Sequence, residues 1–475
     1  MTLRPLLAAV LSLLPAACMV GPDFARPDTK AAPSYAAATD APLPADQRLA
    51  VGGAPKPDWW TDFGSPSLDT VVGFALSDNQ DVAAAKARVA QAQESVTAAT
   101  GALLPQLSAN VGSGAQRFGA ATFGPLNISV PSFTYYTAGA AATFPTDLFG
   151  GGRREVERQA ALAQYQAFEL AATRLSLAGN VATQALAQAA ARAQIAEVQG
   201  IIDSDGENVR LVQTALGVGS ANQTQLLTAQ SQLDADRTLL PDLHQRQAAA
   251  RHALAILVGK APADWSPPDF ALDDFVLPAE IPASVPSELA HNRPDILAAE
   301  AQLHAASAAI GVATAKLYPN LSLTAAFSQQ ALALPGMFTG GSPAWALFAG
   351  LTQPIFNGGQ LSAEKRAAVD RYNEAMAKYR QTVLTAFGQV ADSLQALAND
   401  ADQLHAQEAA AQTASRSLEL ARRGFSLGST GILDVIDAQR RASQARLGLS
   451  RARAQRLIDT ARLYLALGGA SLPPA

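Results

Sequence analysis

A single cysteine, Cys18, occurs in the 475 residues, so no disulfide can form within the chain. The histidines, His244, His252, His291, His304 and His405, are scattered, with no i, i+4 pair and no cysteine nearby. No metal-binding pattern results, and no cofactor is expected. Gly-x-Ser-x-Gly, phosphate-loop and dinucleotide fingerprints are all missing, which argues against an enzyme. Aromatic residues make up only 6%. Alanine dominates instead, and suits long helices at close interaxial distance better than a thick globular core. Net charge is -5 with a pI near 5.6, and Lys and Arg are interspersed with acids. No basic face for nucleic acid follows. No run of about 20 apolar residues is present, which removes a transmembrane helix. If this chain crosses a membrane, it must do so with strands.

What is present begins with an address. Met1 to Ala17 has a basic start at Arg4, an apolar core from Leu6 to Leu14 and small residues leading to Cys18. The core is too short to span a bilayer and reads as a secretory signal. A lone cysteine directly after such a core reads as a bacterial lipoprotein acceptor; the alternative is an unmodified Cys18 in a signal cut elsewhere. Met19 rather than Asp follows it, which favours sorting to the outer membrane. Each buried acyl methylene contributes roughly 0.8 kcal/mol, so three chains make a firm anchor. From Val20 to Asp58, Pro22, Pro27, Pro33, Pro42, Pro44, Pro55 and Pro57 forbid a stable helix and predict an extended leash.

The remainder is a duplication. Leu211 to Gln230 aligns without a gap on Leu420 to Gln439, so that Gly219-Ser220 meet Gly428-Ser429. Leu104-Pro105-Gln-Leu-Ser108 recurs as Tyr318-Pro319-Asn-Leu-Ser322, and Phe149-Gly-Gly-Gly-Arg153 as Phe356-Asn-Gly-Gly-Gln360. Each half therefore reads helix, strand, loop, strand, glycine pair, very long helix, glycine break, second helix.

In the first half the pattern predicts a helix over about 67–101, strands over 106–118 and 133–148, and a helix from Gly151-Gly152 to about Leu216. At 1.5 Å per residue that helix spans on the order of 95 Å. In the second half Leu321, Leu323, Ala325 and Phe327 alternate with Ser322, Thr324, Ala326 and Ser328, a strand with one apolar and one polar face. Residues 344–356 supply the return strand, with Trp345, Leu347 and Leu351 on one side. Each strand reaches the roughly 9 to 11 residues that a tilted membrane strand needs. Four strands cannot enclose an open lumen, so a membrane barrel would have to be shared between copies; two hairpins in a soluble β region is the alternative. The second long helix places Val369, Tyr372, Met376, Tyr379, Val383, Ala386, Val390, Leu394, Leu397, Ala401 and Leu404 at alternating threes and fours, a coiled-coil seam. Partner helices are expected over 222–258 and 432–467, and a Pro-rich linker between the halves carries Trp265, Phe270 and Phe275.

After the second glycine break Asp434 and Asp437 lie three apart on one helix face. Acids in a first helical turn are stabilised by the N-terminal dipole, which alone would explain them. The first repeat has Gln225 and Thr228 there, so the turn itself does not require acids.

Cys18-Met-Val-Gly-Pro-Asp-Phe-Ala-Arg-Pro27, Trp59-Trp60 with Phe63, Asn292-Arg-Pro-Asp-Ile296 with Ala299-Glu300, Pro354-Ile-Phe-Asn-Gly-Gly359 and Leu465-Ala-Leu-Gly-Gly469 run in order along nearly all of the mature chain. In these segments the sequence resembles TolC-like outer-membrane efflux lipoproteins, the NodT family of RND-type tripartite systems. The resemblance implies a mainly α fold with a membrane β-barrel: three chains, four strands from each, twelve strands in all, continued by a long α-helical coiled-coil barrel. It divides the sequence into a signal peptide (1–17), a lipidated extended segment (18–66), a first repeat (67–259), an equatorial linker (260–285), a second repeat (286–467) and a tail (468–475).

It also implies roles. Asp434 and Asp437 would line the periplasmic gate together with Thr224 and Phe425, six carboxylates in a trimer. Phe425 stands where a tyrosine is common and Gly431 where an arginine can tie the coils, with Arg422 and Arg423 as substitutes. Gly219, Ser220, Gly428 and Ser429 would form the tips that meet a periplasmic adaptor, which joins the channel to an inner-membrane RND-type transporter. The function implied is an outer-membrane exit duct for small molecules; a type I protein-secretion duct and a non-conducting envelope lipoprotein are the alternatives.

Overall fold

The computed structural model describes residues 19–28, 34–35, 47–53, 55–119, 131–283 and 286–469. They form two compact units. One takes the described part of Met1–Pro27 with Val89–Tyr165 and Ala299–Tyr379; the other takes the described parts of Asp28–Arg88, Gln166–Ala298 and Arg380–Ala475.

The first unit is built on a sheet of β2 (Gln106–Gln116), β3 (Phe133–Thr146), β5 (Asn320–Ala331) and β6 (Pro343–Thr352), antiparallel throughout and in the order β2-β3-β5-β6. The two hairpins of the duplicated halves join through β3 and β5. The register puts Leu107, Ala142, Ala325 and Leu347 in one row, and Ala109, Ala140, Phe327 and Trp345 in another. Side chains alternate across a strand, so these rows make one face of the sheet largely apolar. The opposite face carries Ser108, Asn110, Thr137, Thr143, Ser322, Thr324 and Ser328. In β6 Trp345 is 74% and Leu347 75% exposed on the apolar face, and Phe348 on the opposite face is 66% exposed. Burial against protein therefore does not explain the alternation, whereas lipid does.

Each hairpin runs into a 67-residue helix, α3 (Gly151–Gly217) and α8 (Gln360–Ser426). Asp147 starts α3: its carboxylate accepts from the backbone N–H of Gly152 and Arg153 at 2.9 and 2.8 Å, satisfying donors that a helix N-terminus leaves open. In the second half the Asn357 side chain accepts from the Gly359 N–H at 3.2 Å.

Of the expected leash, residues 29–33, 36–46 and 54 lie outside the described residues, and the described stretch 20–26 is tied down. Arg154, fully buried, donates to the Val20 and Gly21 carbonyls and pairs with Asp23 and Glu157, both at 2.7 Å. Arg26 pairs with Glu300, and Phe24 stacks on His304, whose Nε2 meets Glu157 at 2.9 Å. Glu300 and His304 belong to α7 (Pro294–Ala315), which is long and apolar enough by composition to cross a membrane, yet 56% of its apolar window is buried inside the protein.

The second unit contains α1 (Pro66–Asp78), the start of α2 (Gln80–Gly101), the remainder of α3, α4 (Gln223–Arg237), α5 (Leu239–Leu257), α6 (Pro286–Asn292), the remainder of α8 and α9 (Ile432–Leu467). Two expected helices are each interrupted. Asn79 separates α1 from α2 because its side chain accepts from the N–H of Asp81 and Val82 while donating to the Leu257 carbonyl. Thr238 separates α4 from α5 because Pro241 has no N–H to continue the ladder. The prolines of the leash and linker do not exclude strands either: β1 (Arg48–Val51) pairs in parallel with β4 (Glu280–Ala283). Phe270 and Phe275 are buried as expected, 5.9 Å apart, and Trp265 is half-buried.

The motifs that carry the resemblance meet here. Trp59 stacks on Tyr464 at 5.2 Å and packs on Phe63, and the Tyr464 hydroxyl donates to Asp62 at 2.9 Å. Arg293 donates to the Ala466 carbonyl and clamps Asp295. The seam expected on α8 is buried at Tyr379, Val383, Ala386, Val390, Leu394 and Leu397; Val369 is exposed, and Ala368 takes the inward position in its place.

Candidate functional site

Two antiparallel helical hairpins end in matching turns. Gly219 and Gly428 have φ of +75° and +72°, which only glycine adopts without strain. In each turn the next serine closes the helix end: Ser220 N–H donates to the Ala215 carbonyl and Ser429 N–H to the Gly424 carbonyl, both at 2.8 Å. Val218 and Leu427 project from the turns, 77% and 82% exposed. The turns stand on one core of Val212, Leu226, Ala229, Leu418, Ile432, Val435, Ile436 and Ala442, drawn from α3, α4, α8 and α9.

Past the turns the hairpins start their second helices in two ways. Asn222 accepts from the Gln225 N–H at 2.9 Å and Gln225 Oε1 accepts from the Asn222 N–H at 2.9 Å, a reciprocal cap. In α9 the Asp434 carboxylate accepts from the Gly431 N–H at 2.9 Å. Neutral Gln225 makes the same bond, so the charge of Asp434 is surplus to the cap. Asp437 lies one turn on, half-exposed, against Arg440 and Arg441 at 2.8 Å each. Both are surface pairs, worth little to stability.

Thr224 is exposed in the first turn of α4, where its carbonyl accepts from the Thr228 hydroxyl. Phe425, 37% exposed, ends α8. Among the described residues no hydrogen bond joins Thr224 or Phe425 to Asp434 or Asp437. The four expected gate residues therefore lie in the end regions of the two hairpins without direct polar contact. Of the two arginines, Arg422 reaches across from α8 to Gln439 on α9 at 2.8 Å, whereas Arg423 pairs with Glu419 on its own helix. Nothing in the sequence distinguished them, because both flank the same turn. Cys18 lies outside the described residues, and among those described no cluster of acidic, His or Cys side chains is suited to hold a metal.

A sheet with an exposed apolar face, followed by long antiparallel helical hairpins, defines an outer-membrane channel protein of the barrel-and-coil class. The sequence profile described as outer membrane efflux protein matches residues 71–260 and 285–469, and the chain belongs to that family. It is 35% identical over 419 residues to the pyoverdine export outer membrane protein OpmQ of Pseudomonas aeruginosa, covering 86% of this chain and 87% of OpmQ. It is 27% identical to the probable outer membrane lipoprotein SilC of Salmonella typhimurium, covering 98% of each. The fold matches that of the outer-membrane channel OprN with a TM-score of 0.87, at 24% identity, over 95% of this chain and 99% of OprN. This protein is an outer-membrane efflux channel, the exit duct of a tripartite pump.

Proposed function

We propose that three copies of this chain close one twelve-stranded barrel and that Asp434 and Asp437 ring its periplasmic entrance. The observation that carries the reading is the sheet: among the described residues four strands end in two open edges, β2 and β6, beneath an apolar face. Unpaired edges are not tolerated in lipid, and copies of the same chain supply the missing partners. A coiled-coil spacer without a pore would need neither that face nor those edges.

Six carboxylates around an axis select cations. The surplus charge of Asp434 supports that role, with Thr224 and Phe425 beside the entrance. Gly219, Ser220, Gly428 and Ser429 meet a periplasmic adaptor, which couples the duct to an inner-membrane RND-type transporter. Cys18 is acylated and anchors the chain in outer-membrane lipid, consistent with the name of SilC. The chain then divides at 17, 66, 259, 285 and 467, as the sequence order suggests. It carries small molecules and has no catalytic role.

Single-channel conductance in planar bilayers tests the reading, comparing wild type with an Asp434→Ala, Asp437→Ala variant. Small cation-selective currents that rise or lose selectivity in the variant are expected. If folded, inserted protein does not conduct in either form, the duct reading fails.

A further inference from the structure

Two pairs of aspartates face each other across the hairpins, well away from the turns. Asp205 on α3 meets Asp236 on α4, and Asp400 on α8 meets Asp459 on α9. Asp205 is 4% and Asp400 8% exposed, and Oδ2 of each is buried with no donor among the described residues. Their partners are held in place: Gln232 donates to Asp236 at 2.8 Å, and Asp459 receives Gln455 at 2.7 Å and Arg462 at 2.8 Å. A buried carboxylate against a second carboxylate is costly unless a proton lies between them.

Their placement follows a rule. Asp205 stands 14 residues before Gly219 and Asp236 17 after it; Asp400 stands 28 before Gly428 and Asp459 31 after it. Each pair thus crosses its hairpin in the same register, and the two sites differ by two heptads. At the counterpart of Asp400 and Asp459 the first hairpin has Ala191 and Ala250, both buried. At the counterpart of Asp205 and Asp236 the second has Ala414 and Ala445. Alanine pairs fill these seats in the opposite hairpin, so packing alone does not call for acids.

We propose that Asp205–Asp236 and Asp400–Asp459 are proton-sharing clasps, each fastening a long helix to its antiparallel partner and loosening when the shared proton leaves. Burial first, and the neighbouring carboxyl second, push Asp205 and Asp400 each up to about 7. The charged groups bearing on Asp400 are Asp459, Arg456 and Arg462, the two arginines opposing the shift. For Asp205 the charged neighbour is Asp236, and the Asn208 amide opposes the shift. Because the folded value lies above the ordinary 3.8, the stabilisation is complete below about pH 4 and is lost as pH rises through about 7. Acid therefore tightens the hairpins and alkali loosens them.

Hydrogen exchange of the full-length protein in detergent, read at pH 5 to 8 after correction for intrinsic rates, tests this. In wild type, protection of the amides around Asp205 and Asp400 should fall by up to about tenfold per pH unit between pH 5 and 7 for each proton involved. The variants Asp205→Asn with Asp236→Asn and Asp400→Asn with Asp459→Asn should be flat at their own site and unchanged at the other. If an amide pair misfolds, Asp400→Ala with Asp459→Ala, which copies the first hairpin, should be flat as well. A wild type without pH dependence, or variants that keep it, overturns the proposal. Recovery of protection at pH 8 on adding millimolar calcium also overturns it, because the pairs would then hold a cation.

Discussion

Arg422 on α8 donates through Nη2 to Oε1 of Gln439 on α9 at 2.8 Å, and Gln439 is almost wholly buried. This bond crosses the hairpin next to the proposed entrance, where Gly431 has no side chain to do so. Arg422→Ala removes it and leaves the Gln439 amide oxygen short of a donor, at a cost of about 1 kcal/mol. Resting conductance in planar bilayers should rise severalfold. Arg423→Ala should leave it unchanged, since Glu419 lies on the same helix.

The cap and the charge of Asp434 can be separated. Asp434→Asn keeps an oxygen for the Gly431 N–H, so thermal stability should stay within about 0.5 kcal/mol of wild type. Cation selectivity, measured as the reversal potential in a salt gradient, should nevertheless fall. Asp434→Ala should lower both, by about 1 kcal/mol in stability. Equal selectivity in Asp434→Asn and wild type would remove this residue from the entrance.

Arg154 holds the N-terminal segment by two backbone carbonyls and Asp23. Arg154→Met should free residues 19–27, read as faster proteolysis within that stretch while the sheet remains folded. Gly311→Ala should act in the same direction, because its Cβ would lie 2.9 Å from the Val20 carbonyl oxygen and 2.7 Å from Arg154 Cγ. Unchanged proteolysis in both variants would show that the segment is held by other contacts.

The two faces of the sheet should respond oppositely to charge. Leu347→Arg puts a cation on the apolar face, at a cost of about 2–4 kcal/mol near the bilayer midplane. Folded protein in the outer membrane, scored by heat-modifiable mobility, should drop sharply. Thr324→Arg, on the polar face in the adjacent strand, should assemble close to wild type. Equal yields would mean that the apolar face does not meet lipid.

The internal repeat, the long helices and the alternation of Leu321, Leu323, Ala325 and Phe327 were all legible from residue order. Helical and strand periodicity is a local property, and each stretch displays its own. The glycine turns were equally plain, since a helix that stops at Gly219 or Gly428 needs a residue free to take positive φ. Local reading failed where a residue's partner lay far along the chain. Asn79 breaks a helix through Leu257, and the proline-rich start is held by Arg154, more than 130 residues away. Pro241 was visible, and its consequence for the partner helix follows from local chemistry after all.

The site divides in the same way. Sequence alone determined that two acids follow the second turn and that the first repeat has none there. Tertiary structure decided that Arg422 and not Arg423 crosses the hairpin, and that four aspartates meet in two pairs with Asp205, Asp400 and Asp459 buried. The reason is physical: period and turn chemistry are written within a few residues, whereas the cost of burying a charge depends on which faces two distant helices bring together.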